Sequence, residues 1–415
     1  MESGTSAGAR ELLASRPFVI LLTARTIAML GIAFAPVALA FGVLALPGAT
    51  ATTLSIVLAA ETIPLVIFML VGGVVADRYP RAIVLLTGEV LSALAWAGIG
   101  AMMLTGFTPL WLLCTAAVVA GTAGATVYPA LSGIIPDIVP THLLQQGNAW
   151  LSMGQSAARL VGLVASGAVV LWIGGGWAML VAGSLYAVSA VLSALLPRGG
   201  SLAGAEENPL HQLRVGWVEF RSRQWLWVVV LQFAVMVMVL QAAHGVLGPV
   251  VANAELGGAA AWTAVLAAEA FGAIFGVALA MRWRPHRPIL VATLTTFAAG
   301  APALLLGVRA PLWMVVTAAF LMGVSFDLFG VLWMTTLQHE VPTESLARVA
   351  SYDALGSLML GPIGLLLAGP ATVIFGAHPA LVGCGLVSAA TTVFALAFPE
   401  VRQLRARRPL PDAAG

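Results

Sequence analysis

Long apolar runs recur along the whole chain, each closed by a short polar or glycine- and proline-rich gap. A helix crossing the hydrocarbon core of a bilayer needs ~20 apolar residues at 1.5 Å each. Runs of that length lie near 17–45, 51–76, 82–105, 108–134, 145–172, 176–196, 225–252, 258–281, 288–307, 311–337, 348–372 and 379–398. The pattern therefore predicts twelve membrane spans. The gaps are brief, as in "LPGAT" (46–50), "TGFTP" (105–109) and "IGGGW" (173–177), so tight helical hairpins are expected. The first run has no short basic leader before it and reads as a retained span rather than a cleaved signal.

The one long polar interval, 197–224, divides the chain into an N-terminal bundle (1–196), a cytoplasmic linker and a C-terminal bundle (225–415). Within it, "HQLRVGWVEF" (211–220) has apolar residues at helical spacing. Two readings stand: an amphipathic surface helix, or an extension of span 7.

Composition sharpens this picture. Of 415 residues, 60% are hydrophobic and 9% charged, against roughly 25% charged in soluble domains. All 19 basic residues are arginine. Arg10, Arg16, Arg78, Arg81, Arg198, Arg214, Arg221, Arg223, Arg282, Arg284, Arg287, Arg348, Arg402, Arg405, Arg407 and Arg408 fall on one side of the predicted topology. Only Arg309 lies in a loop on the other side, and Arg25 and Arg159 lie within spans. The excess of arginine marks the cytoplasmic side and places both termini there, in a multi-pass protein of the inner (plasma) membrane.

Several chemistries find no support. Cys114 and Cys384 sit in separate apolar runs, and the six histidines are scattered, so neither a disulfide framework, a metal site nor a cofactor is expected. Without lysine no Walker phosphate loop can form, and no nucleophile elbow is present, so neither an ATP-driven machine nor an enzyme is expected. Nothing suggests nucleic-acid binding.

The chain also repeats itself. "VPTHLLQQGNAWLSMGQSAARLVGLVASG" (139–167) aligns with "VPTESLARVASYDALGSLMLGPIGLLLAG" (341–369) at an offset of 202, matching Val139/Val341, Pro140/Pro342, Gly154/Gly356, Gly162/Gly364 and Gly167/Gly369. Spans 1–6 and 7–12 are two copies of one six-helix unit. Parallel repeats of this kind build a large class of secondary transporters with substrate held near the midplane.

Ionisable residues inside spans are costly and mark function. They are Arg25, Glu61, Glu89, Arg159, Glu269 and Asp327, with Asp353 shallower. Counting from the cytoplasmic end puts Arg25 and Glu89 both ~12 Å deep, Asp327 ~16 Å, Glu269 ~20 Å, Arg159 ~21 Å and Glu61 ~24 Å. Depth suggests a static Arg25–Glu89 pair within the first half. It also matches Arg159 with Glu269 across the halves, with Glu61–Arg159 as a competing pair. The cross-half pair would break as the halves rock, protonation of Glu269 would weaken it, and a proton affinity that depends on the access state is what proton coupling requires.

After span 2 stands "GGVVADRYPR" (72–81), with Gly73, Asp77, Arg78 and Arg81 in a G-x-x-x-D-R arrangement. With twelve spans in two halves, it resembles the loop 2–3 motif of the major facilitator superfamily. Pro80 stands at the motif's second glycine and Ala82 at its final basic residue. The stretches 134–162 and 332–370 resemble the drug:proton antiporter subgroup of macrolide-efflux and enterobactin-exporter-like proteins. The usual proline of span 5 is absent here, while span 11 carries "GPIG" (361–364), and span 4 has no arginine.

The resemblance implies an all-α polytopic membrane protein: twelve transmembrane helices in two pseudo-symmetric six-helix bundles, the major facilitator fold. It implies that Asp77 closes a cytoplasmic latch against the start of span 11, with Arg78 pairing Asp137. The competing reading is a solvated topogenic loop. It places spans 5 and 8 face to face, which would bring Arg159 to Glu269. It lines a cavity with spans 1, 4, 7 and 10, through Met29, Phe34, Tyr128, Gln232, Phe233, Met236, Met238, Gln241, His244, Phe326, Phe329, Trp333 and Met334. Asp327 would face that cavity or bond locally to Ser325. The function implied is proton-driven export of amphiphilic small molecules, such as antibiotics or secondary metabolites, by a monomer. The alternative is export of one dedicated substrate such as a siderophore or sugar.

Overall fold

The computed structural model describes residues 11–197, 217–283 and 285–405, with backbone alone at 70–77, 128, 129, 132, 133, 136, 141, 145 and 343–348. Among these residues, twelve helices are long and apolar enough to cross a membrane. In chain order they are α1 Arg16–Leu44, α2 Ala51–Arg78, α3 Arg81–Thr105, α4 Leu110–Ile138, α5 Leu144–Ile173 and α6 Gly175–Ser193. There follow α7 Gln224–Glu255, α8 Ala259–Arg282, α9 Pro288–Gly307, α10 Leu312–Glu340, α11 Val349–Phe375 and α12 Ala377–Ala397. Side chains such as Trp172, Val373 and Ile374 point outward and are exposed, as a lipid-facing surface requires. Of the 211–220 segment, only 217–220 fall within the described residues, in a short helix over 217–222.

The chain divides into two compact units, 1–205 with 252–263, and 206–251 with 264–415. Within the first, α1 packs on α5 and α6, α3 on α4 and α6, and α2 on α4. Within the second, α7 packs on α11 and α12, and α9 on α10 and α12.

The internal repeat runs further than the aligned segment. α5 turns directly into α6 at Gly174 (φ 91°, ψ 165°), and α11 turns into α12 at Gly376 (φ 86°, ψ 158°). Only glycine tolerates that backbone region cheaply, and the two positions are 202 apart, the offset of the repeat. The repeat also governs close approach. A Cβ at Gly121 would strike the main-chain oxygen of Glu61, and one at Gly323, 202 residues on, would strike that of Glu269. Gly162 in α5 meets Leu30 and Ala33 of α1, while Gly364 in α11 meets Met238 of α7. Small residues let helix backbones touch where apolar lipid gives no hydrophobic drive to association.

Three spans depart from regular α-helix. α7 holds a π-helical turn at Ala242–Leu247. Pro249 follows it, and a proline ring displaces the carbonyl four residues back, here that of Gly245. α9 tightens to 3₁₀ at Thr296–Gly300, just before Pro302. α11 breaks between Leu358 and Gly361, where Pro362 opens a new helix. α5, its repeat counterpart without that proline, runs unbroken for 30 residues.

Candidate functional site

In the first unit, the charges gather between α1, α3 and α6. Arg25 is 4% exposed and Glu89 0%, with Arg25 Nη1 3.5 Å from Glu89 Oε1. Ser189 Oγ lies 2.8 Å from Glu89 Oε1 and 3.0 Å from the Ala24 carbonyl oxygen, donating to one or the other. Tyr186 lies within electrostatic range of Arg25, Glu61 and Glu89, and its ring packs against Gly31. Glu61 is half-buried on α2 and Arg159 exposed on α5. Met29 is half-buried on α1, and Phe34 is buried, its carbonyl accepting a hydrogen bond from Ser166 Oγ at 2.8 Å.

At the end of α4, Asp137 meets the loop after α2. Arg81 Nη1 donates to both carboxylate oxygens, at 3.1 and 3.2 Å. The expected Arg78–Asp137 pair is thus replaced by Arg81–Asp137, and Arg78 is exposed. Arg81 opens α3, so its side chain rises along the same bundle as α4, while Arg78 closes α2 on the preceding turn. Gly73 and the side chain of Asp77 lie outside what the structure describes at side-chain level, as does Tyr128.

In the second unit, the π-helical turn of α7 carries His244. Its Nε2 lies 3.6 Å from Glu269 Oε2 on α8, and its Nδ1 lies 3.2 Å from the Leu240 carbonyl oxygen. A carbonyl only accepts, so Nδ1 carries the proton of that bond. Nε2 then bears a second proton only in the imidazolium form. Hydropathy and depth both passed over this pair: His244 read as one cavity-lining side chain among many.

The same unit opens two adjoining recesses that share Phe326 and Gly330. One, of about 230 Å³, is lined by Val229, Phe233, Phe329, Trp333, Asp353, Ala354 and Ser357. The other, of about 480 Å³, runs past Asp327, Val331, Met334 and Thr335. Asp353 is fixed by Trp333 Nε1, which donates to Oδ2 at 2.8 Å, and by Ser357 Oγ at 3.4 Å from Oδ1. The rings form a continuous series: Phe233 lies tilted on Phe329 at 4.3 Å between centroids, Phe329 stacks on Trp333 at 5.8 Å, and Trp333 meets Trp225 edge-on at 5.4 Å.

Other candidates lie elsewhere. Gln232 is 1% exposed, and its Nε2 donates to Thr296 Oγ1 at 2.8 Å, inside a threonine network that reaches Thr392. Met236 is fully buried against Ala299 and Met322. Gln241 lies against Gly361, at the break in α11. These three line neither recess.

Known proteins resemble this chain in sequence and in shape. The enterobactin exporter EntS of Citrobacter koseri is 25% identical over 364 residues, covering 83% of each chain. The multidrug efflux pump Tap of Mycolicibacterium fortuitum is 25% identical over 368 residues, covering 84% of this chain and 88% of its own. The crystal structure of the nucleoside transporter NupG superposes with a TM-score of 0.74 at 10% identity, over 94% of this chain and 100% of that one. Twelve apolar helices, an internal repeat and these likenesses describe a multi-pass membrane transporter rather than an enzyme. The sequence profile of the Major Facilitator Superfamily matches residues 18–364, and the chain belongs to that family.

Proposed function

We propose that this transporter exports amphiphilic small molecules by proton antiport through alternating access, from the plasma membrane and with both termini cytoplasmic. The observation that carries the reading is the His244–Glu269 pair, set in a π-helical turn on the unit that also holds the aromatic recesses. A pair that can take up or release one proton inside the membrane is what coupling to a proton gradient needs. Apolar rings with methionine beside them suit substrates of varied shape. The names of the relatives, an enterobactin exporter and a multidrug pump, support outward transport. The enterobactin exporter also favours a second reading, in which one dedicated substrate is carried.

The test is drug accumulation in an efflux-deficient host expressing the chain, with and without a protonophore. Lower accumulation that the protonophore abolishes is the expected result. Equal accumulation with and without the chain across diverse compounds overturns multidrug export. Lowered accumulation of a single compound selects the dedicated-substrate reading.

A further inference from the structure

The loop after α2 and the loop after α8 stand at corresponding places in the two halves, but their charges are balanced differently. In the first unit Arg78 closes α2, Arg81 opens α3, and Asp137 pairs with Arg81 at 3.1 Å. In the second, Arg282 closes α8 and Arg287 immediately precedes α9. The acids of that arrangement are missing. Met281 stands before Arg282, where Asp77 stands before Arg78, and the repeat offset of 202 puts His339 at the place of Asp137. Arg282, Arg287 and His339 are all exposed.

Neighbouring acids are committed elsewhere. The short helix Pro399–Gln403 packs against α7 and the first turns of α9, and its Glu400 accepts the main-chain N–H of Trp225 at 3.0 Å. Glu219, in the helix over 217–222, lies 2.6 Å from Arg223. Among the described residues, no carboxylate lies within 4.0 Å of Arg221, Arg282, Arg287, Arg402 or Arg405, and all five are exposed. A guanidinium keeps its charge and matches phosphate with two parallel hydrogen bonds. Large apolar side chains are exposed in the same segments: Trp217 and Val218 in the helix of Arg221, Met281 and Trp283 on either side of Arg282. Bulk water does not favour that combination. The boundary between lipid headgroups and acyl chains does, because it takes ring and charge together. We infer that this end of the second unit, where α7 and α9 begin and α8 and α12 finish, binds the headgroups of anionic phospholipids, with Arg282, Arg287 and Arg402 on the phosphates and Trp217 and Trp283 set among the upper ends of the acyl chains.

Binding of this kind requires neither export nor a coupled proton, so it stands or falls apart from the function proposed above. The experiment uses the full chain purified in a neutral detergent, with fluorescent phosphatidylglycerol as probe. Unlabelled phosphatidylglycerol, phosphatidylcholine and inorganic phosphate serve as competitors. Saturable binding is expected, displaced by phosphatidylglycerol at least about tenfold better than by phosphatidylcholine and weakened by salt. Arg282→Gln, Arg287→Gln and Arg402→Gln should each lower the affinity by about fivefold, and Trp283→Gln by about three- to tenfold. Arg16→Gln and Arg309→Gln, which alter exposed arginines of the first unit and of the turn between α9 and α10, should leave it unchanged.

Equal displacement by the two lipids overturns the proposal. So does an unchanged affinity when Arg282, Arg287 and Arg402 are all changed to glutamine. Displacement by inorganic phosphate as strong as by phosphatidylglycerol overturns the lipid as occupant and leaves a site for free anions. An equal loss of affinity in Arg16→Gln or Arg309→Gln overturns the surface as a specific one, since any exposed arginine would then serve. If the triple change does not fold, the comparison of the two lipids on the unaltered protein and the Trp283→Gln result decide alone.

Discussion

Glu61 and Glu269 occupy the same place in the two halves of the chain. Each turns its main-chain oxygen toward a glycine of the helix beside it, Gly121 or Gly323, and those glycines are one repeat apart. The two halves thus carry an acid at the same point of closest helix approach. A methyl group there has nowhere to go. Gly121→Ala and Gly323→Ala should each cost about 1–3 kcal/mol through overpacking. Gly98 and Gly383, helical glycines with nothing within 4 Å of an added Cβ, give the opposite sign, with alanine neutral or stabilising by up to about 1 kcal/mol. Thermal unfolding in detergent separates the two pairs. Equal melting temperatures for all four variants would show that the close contacts are not what sets the helix spacing.

The 3.6 Å approach of His244 to Glu269 leads to a coupling prediction. If this pair carries the coupled proton, Glu269→Gln leaves His244 without the carboxylate it faces. Efflux driven by a pH gradient should then fall by about 5–150-fold, the range of a lost coupling, while binding of a substrate at fixed pH persists. His244→Gln should lower the same efflux, because the carboxylate loses the ring that lies 3.6 Å from it. Counterflow of labelled substrate in vesicles, with no proton gradient, provides the control. Unchanged gradient-driven efflux in both variants removes the pair from coupling.

The positions of these groups were unequally legible in the sequence. Runs of 20 apolar residues declare themselves, because a single segment of that length satisfies its own backbone in lipid only as a helix, so the twelve spans stand within a few residues of where the hydropathy put them. Depth counting also brought Arg25 level with Glu89, and the two lie 3.5 Å apart. The one-residue turns at Gly174 and Gly376 were readable in principle, since the repeat offset applies to them, but they lie just beyond the segment whose polar residues made the repeat visible. The His244–Glu269 pair was not legible. A π-helical turn adds a residue to the helical count, and it rotates every side chain beyond it relative to a regular α-helix. Arg81 and Arg78 are a single turn apart by sequence, and only the direction in which the chain leaves α2 decides which of them reaches Asp137. The tie between Asp353 and Trp333 joins residues 20 apart on two helices and depends on how α10 and α11 pack, which no local pattern encodes.

Arg25 and Glu89 supply a stability prediction that bears on whether they act in coupling or merely in packing. The pair is enclosed, so removing one partner strands the other charge. Glu89→Gln or Arg25→Met alone should destabilise by about 3–5 kcal/mol, whereas the double change to Arg25→Met with Glu89→Leu should be close to neutral. Melting of the three variants in detergent measures this directly. Efflux of the double variant then separates the roles: retained transport assigns the pair to packing within the first unit, and its loss despite a recovered melting temperature assigns the pair to coupling.

Arg81 and Asp137 test whether the loop after α2 works as a latch or only sets topology. Their side chains are 26% and 23% exposed, and one guanidinium nitrogen bonds both oxygens. At that exposure the pair is worth only about 0.2–1 kcal/mol to folding, so a large effect on transport cannot come through stability. Arg81→Asp and Asp137→Arg should each reduce efflux with little change in melting temperature, and the double reversal should restore a substantial part of it. Arg78→Asp should not be rescued by Asp137→Arg, because the structure gives that carboxylate to Arg81. Efflux rates normalised to membrane expression complete a double-mutant cycle. A coupling energy near zero between positions 81 and 137 would leave the arginines as topology signals and the bond between them as incidental to movement.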